Sequence, residues 1–259
     1  MFKVYVKDSM GTPTVVDVVA YQQKTVGIEK SKELWPETYC IVCGQGCYAS
    51  GLYSPYDNFT ARFSHIRDPK NPELCPLSTK SKRFGSLARA ESNAAQAAKV
   101  KKEFLQFESL KRAYLVCRKL RGGQGKLSQD DFLKMVKVAD SVGIWGYSYM
   151  PQWGIPLLLM LMDNHPTPNG KAAFFYTFKK DRSHFNPSWW SRNVRLEAHW
   201  VSDGSLIETK ADKNPAFLTH IPFSASVSDK ILSGENVDWY TSDKLKILQA
   251  YSDEEANFG

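Results

Sequence analysis

The run Tyr39-Cys40-Ile41-Val42-Cys43-Gly44-Gln45-Gly46-Cys47 crowds three thiols into eight residues. Cysteines this close together point to a shared metal ion before they point to disulfides. A Cys-x2-Cys pair on a tight turn sets two thiolates at the right separation for one tetrahedral ion, and Gly44 and Gly46 leave the backbone free to fold around it. Downstream, His65 follows Cys43 after 21 residues and Cys75 follows His65 after nine. Cys47 aside, these are the nearest sulfur or imidazole groups. The set Cys40, Cys43, His65 and Cys75 is Cys3His, a closed structural combination for Zn2+ with no position left for a substrate. Cys47 stands as the alternative to His65 or Cys75. A redox dithiol would instead call for a thioredoxin-like strand–helix setting, which the flanking sequence lacks. The fifth cysteine, Cys117, stands alone in a helical pattern.

Working outward, residues 35–80 are rich in Gly, Pro, Ser, Asn and Tyr and hold few aliphatic side chains, so a metal would have to supply the stability that a core does not. Upstream, residues 2–7 and 13–21 alternate and are β-branched around Asp8-Ser9-Met10-Gly11, which predicts a hairpin. From Ser86 the texture turns helical, with Val100, Phe104, Phe107, Tyr114 and Cys117 at three- and four-residue spacing. Gly122-Gly123-Gln124-Gly125 ends that helix, and Ser128 with Asp131 caps a second through about Val142. Beyond residues 143–154 the pattern reads as β. Ile155–Met162 and Lys171–Lys180 flank a Pro/Asn/Gly loop, Val194–Val201 and Ser205–Thr209 flank Ser202-Asp203-Gly204, and a short helix is expected over Ser242–Tyr251 before an acidic tail. The expected class is α+β: a zinc-bound hairpin module (1–85), a basic helical hairpin (86–142) and an antiparallel β domain (150–259).

The run Tyr39-Cys40-Ile41-Val42-Cys43-Gly44, with Arg62-Phe63-Ser64-His65, resembles the N-terminal zinc-ribbon-like segment of CoiA-type competence proteins, whose pattern is Cys-x2-Cys followed by His-Phe-x-His. The resemblance covers residues 37–76. Arg62 stands where the family has its first histidine, which leaves His65 as the ligand. The rest of the chain does not visibly continue into the family's nuclease domain. The resemblance therefore implies a metal-bound module in a nucleic-acid context, and no activity.

Charge adds a partner class. Between Ala61 and Lys126 there are 16 Lys/Arg against 5 Asp/Glu, a surplus of +11 in a chain whose total is +7. So concentrated a surplus fits an acidic partner, DNA or RNA, as well as it fits a solvated helix face. The candidate phosphate contacts are Arg83, Arg89, Lys99, Lys101, Lys102, Lys111, Arg112, Arg118, Lys119 and Arg121. The aromatic-basic run Phe174–Trp190 offers rings and cations for a single strand, although strand aromatics usually fill cores. No stretch reaches the ~20 apolar residues of a membrane helix. The N-terminus is charged too early for a signal peptide, so a cytoplasmic protein without a membrane partner is expected.

Catalysis has one weak candidate. Glu208-Thr209-Lys210 after a strand, with Glu197 before it, would give a metal-dependent nuclease two carboxylates for Mg2+ and a lysine beside the attacking water. Alternation, however, turns Glu197 away from the apolar face of Leu196, Ala198 and Trp200. Gly122-Gly123-Gln124 resembles the release-factor tripeptide but sits where glycine caps a helix. The expectation is a non-catalytic, zinc-stabilised nucleic-acid-binding protein, with a nuclease or a protein-interaction adaptor as alternatives.

Overall fold

In the computed structural model, residues 3–7, 11–54, 61–66, 75, 77–78, 83, 94–122, 127–146, 151–167, 169–180, 194–208 and 219–258 are described. The chain is α+β, with two antiparallel sheets, and divides into two compact units: Met1–Ser81 with Asp140–Gly143, and Lys82–Ala139 with Ile144–Gly259. Among the described residues, no helix is long and apolar enough to cross a membrane.

The first unit is a five-stranded sheet. Strands β1 (Lys3–Lys7), β2 (Pro13–Asp17), β3 (Thr38–Tyr39), β4 (Gly46–Ser50) and β5 (Arg62–His65) lie in the order β2-β1-β3-β4-β5. β2 is shorter than the expected strand through Tyr21. It stops at Asp17, whose carboxylate accepts the Ala20 N–H at 2.7 Å and starts helix α1 (Val18–Lys24). An N-cap carboxylate thus overrides the β preference of Val18 and Val19. The core is aromatic where aliphatic residues are scarce. Tyr21 meets Phe63 edge-on at 5.3 Å and Trp35 at 6.3 Å, and Trp35 meets Tyr53 at 6.1 Å. The Tyr21 hydroxyl donates to the Pro36 carbonyl at 2.7 Å.

The second unit is built on helix α3 (Phe107–Leu120), whose Leu110, Leu115, Val116 and Cys117 are buried. It follows helix α2 (Ala94–Phe104), and the two replace the single helix expected. Gln106 is extended (φ −63°, ψ 141°) and separates them without Gly or Pro, while Phe104 turns inward against Trp145 at 5.1 Å. Helix α4 (Gln129–Val142) begins as read, with Ser128 Oγ accepting the Asp131 N–H at 3.0 Å.

The expected strand Ile155–Met162 is instead helix α5 (Ile155–Leu159) and a turn, with every residue buried. Apolar on all sides, the run carries no period to separate strand from helix, and Pro156 in the first turn is pre-set for the helix. Strands β6 (His165–Pro166), β7 (Ala173–Lys180), β8 (Val194–Trp200) and β9 (His220–Pro222) form the second sheet in sequence order. After β8 the expected hairpin return reduces to one bridge, His199 to Leu206. Helix α6 (Ala225–Ser233) was not foreseen, and helix α7 (Lys246–Phe258) takes up the acidic tail. Because Leu158 is fully enclosed, Leu158→Ala is expected to destabilise the chain by about 2–5 kcal/mol. Denaturant unfolding followed by circular dichroism measures this.

Candidate metal centre

The knuckle forms between β3 and β4. Cys40 N–H bonds the Gln45 carbonyl at 2.8 Å, and Gly44 N–H closes back on the Cys40 carbonyl at 2.9 Å. That closure uses φ +70° at Gly44, the left-handed region that favours glycine. β5 pairs with β4 in the register Cys47↔His65, which carries the His65 imidazole to the same end of the sheet. Cys75 arrives from beyond β5.

The structure brings together Cys40, Cys43, His65 and Cys75, whose donor atoms all lie within 4.8 Å of one another. Cys40 Sγ is 3.7 Å from Cys75 Sγ, and Cys43 Sγ is 3.5 Å from His65 Nε2. Cys40, His65 and Cys75 are buried, and Cys43 is exposed. Each cysteine sulfur also accepts the backbone N–H two residues on: Cys40 from Val42 at 3.4 Å, Cys43 from Gln45, and Cys75 from Leu77. Donors aimed at sulfur favour its anionic form. Three sulfurs and an imidazole so arranged can hold one metal ion. Sequence reasoning found the four side chains but missed these N–H groups, which carry no residue-type signal.

Proton affinities are set within the cluster. Hydrogen bonds from Cys40, Cys75 and His65 outweigh burial and hold the Cys43 thiol far below the usual range. Cys75, as donor to Cys40 and Cys43 and further desolvated, is raised. Burial would lower the His65 imidazole, but the Cys40 and Cys43 sulfurs overcome it and lift it to about 9. Cys47, the alternative ligand, lies outside the four-donor group. Its Sγ points to the Gln45 carbonyl at 3.5 Å, and burial next to Cys40 and Cys43 pushes its thiol up to about 12.

The proposed phosphate contacts differ in exposure. Arg83 is buried, bonding the Asp163 carbonyl at 2.7 Å and Asn164 Oδ1 and stacking on Phe175 at 4.4 Å. Lys111 is buried and paired with Glu108 at 2.7 Å. Arg121 is buried at the end of α3, and burial lowers its pKa. These three do not serve as phosphate contacts, because a guanidinium or ammonium enclosed by protein cannot reach a backbone phosphate. Arg118 is largely enclosed and bonds the Tyr240 hydroxyl and Glu235, and Lys101 pairs with Glu255 at 3.9 Å. Lys99, Lys102, Arg112 and Lys119 are exposed on α2 and α3. Arg89 lies outside the described residues.

The nuclease candidate does not assemble among the described residues. Glu197 is buried and held by Arg195 at 2.7 Å, Glu208 is exposed, and Lys210 lies outside the description. Phe174, Tyr176 and Phe178 are core; residues 181–190 of that aromatic run, and 123–126 of the glycine turn, also fall outside it. Gly122, at φ +107°, follows α3 as the cap reading requires. Among the described residues, the Cys3His group is the only cluster of three or more His, Cys, Asp or Glu side chains placed to hold a metal. No protein-family model, no curated protein and no solved structure matches the chain.

Because His65 and Cys75 hold their protons near neutrality, metal binding must displace them, and affinity should rise with pH across the neutral range. Calorimetric titration in buffers of different ionisation enthalpy is expected to show proton release, and weaker binding at pH 6 than at pH 8. Affinity independent of pH would contradict the ligand assignment.

Proposed function

We propose that Cys40, Cys43, His65 and Cys75 hold Zn2+ as a structural ion, and that the chain is a zinc-stabilised, non-catalytic nucleic-acid-binding protein. The observation that carries the zinc assignment is the donor spacing. A tetrahedral zinc with Zn–S of about 2.3 Å and Zn–N of about 2.05 Å has an S···S edge of about 3.8 Å and an S···N edge of about 3.6 Å. The Cys40–Cys75 and Cys43–His65 separations are 3.7 and 3.5 Å, and all four donors lie within 4.8 Å of one another. Four protein donors complete that coordination, so the ion stabilises the module and leaves no site for a reacting water.

Support for the nucleic-acid half is electrostatic. Lys99 and Lys102 share one face of α2, and Arg112 and Lys119 share one face of α3. The resemblance to the CoiA-type segment points the same way. Metal analysis of the purified chain is expected to give one equivalent of zinc, lost in Cys43→Ser and in His65→Ala; undiminished zinc in both variants would falsify the assignment. Binding to a labelled oligonucleotide should weaken with salt. Each of Lys99→Ala and Arg112→Ala should shrink the log–log salt slope by about 0.7 on a single strand. Affinity that ignores salt would remove the nucleic-acid reading and leave the zinc assignment standing.

A further inference from the structure

The first sheet has one closed face and one open face. Val4, Val6, Val16, Thr38, Phe63 and His65 fill the inner face and are buried. Strand pairing aligns their neighbours on the other side. Val15 stands opposite Tyr5, Tyr5 opposite Tyr39, and Tyr39 opposite Gly46, where the Ile66 side chain crosses. One row along, Tyr48 stands opposite Ser64. Val15, Tyr48 and Ile66 are 50%, 52% and 53% exposed, and Tyr5 and Tyr39 are partly so. The centre of this open face is therefore aromatic, on the three adjacent strands β1, β3 and β4, with the aliphatic residues at its two ends.

The charges around it are uneven in availability. Asp17 is engaged in capping α1, Glu37 accepts the Tyr39 hydroxyl, and Asp140 pairs with Lys3. Against these, the Lys7 ammonium lies 4.8 Å from the centre of the Tyr39 ring, and Arg62 is exposed at the start of β5. Flat rings bordered by cations match a polymer of flat bases joined by phosphates. Strands lie about 5 Å apart, so tyrosines on neighbouring strands can each meet a successive unstacked base, as sheet-borne aromatics do in single-strand recognition. A duplex keeps its bases stacked inward and gives these rings nothing to meet.

We propose that the open face of β1, β3 and β4 takes single-stranded nucleic acid, with bases on Tyr5, Tyr39 and Tyr48 and phosphates against Lys7 and Arg62. This rests on the nucleic-acid reading above and adds the strand type and a base-stacking surface separate from the cations of α2 and α3. The test is fluorescence anisotropy of the full-length, zinc-loaded chain with a labelled single strand and with its duplex. The single strand is expected to bind more tightly. Tyr48→Ala should weaken it about five- to hundred-fold, the effect of one lost base stack, while Tyr48→Phe keeps the ring and the affinity. Unchanged zinc content and circular dichroism in Tyr48→Ala show that the fold is intact, and Tyr5→Ala provides a second variant should they change. If the unaltered chain binds neither form, the functional reading fails and this inference with it. If it binds but the tyrosine variants bind equally well, or the duplex binds as tightly, this inference alone is overturned. If instead Tyr48→Ala abolishes self-association and spares oligonucleotide binding, the face is a protein interface and the inference is likewise overturned.

Discussion

Three sulfurs and one imidazole converge from segments 35 residues apart in sequence, from Cys40 to Cys75, into a space where their donor atoms lie within 4.8 Å. Without a cation, such a cluster has to be held by protons. Hydrogen bonds within the cluster depress the Cys43 thiol and raise the Cys75 thiol and the His65 imidazole. A divalent ion held there, as proposed, would replace those protons with one strong centre and let each sulfur keep the backbone N–H aimed at it. The aromatic packing of Tyr21, Trp35, Tyr53 and Phe63 beside it is substantial but small for a unit of this length. These rings add to the few buried aliphatic residues, such as Val4, Val6, Val16 and Leu52, and a metal at the cluster would supply further stability.

How much of this was legible depended on whether the signal was local. The Cys-x2-Cys-Gly knuckle and the Ser128 cap are each decided within a few residues, and both stand as read. His65 and Cys75 were legible only as the nearest remaining donors, and β4–β5 pairing is what brings the first of them in. The misreadings share a cause. Val18 and Val19 look like strand until Asp17 is seen to cap them, and Ile155–Leu159 looks like strand because complete burial erases the helical period. The break at Gln106 has no sequence mark, since it follows from Phe104 reaching Trp145. In each case tertiary packing or a single cap outweighed residue preference.

The basic residues counted along the sequence are not equally accessible. Counting lysines and arginines along α2 and α3 assumes that each sits in water. Arg83 instead lies among the carbonyl of Asp163, the side chain of Asn164 and the ring of Phe175, and Lys111 folds back on Glu108. Long cationic side chains cover apolar surface and find carbonyls, and a one-dimensional count cannot see this. Among the described residues, Lys99, Lys102, Arg112 and Lys119 are the exposed cations of α2 and α3.

The sheet register bears on both the metal cluster and the open face. Thr38, Cys47, Phe63 and His65 belong to the inner face, and Cys40 directly follows β3, so Cys40 and His65 reach the shared cluster in the register observed. A slip of one residue in β3 or β5 would turn the ligand outward and the neighbouring residue inward. Tyr39 would then enter the core and Cys40 would leave the centre. Short strands such as β3, two residues long, have little hydrogen-bonding of their own with which to resist such a slip. A metal held by Cys40, Cys43 and His65, as proposed, would resist it for them, and in fixing the inward residues it would fix the outward ones. On that reading the same register sets the tyrosine row on the open face and joins the buried cluster to the exposed aromatic surface.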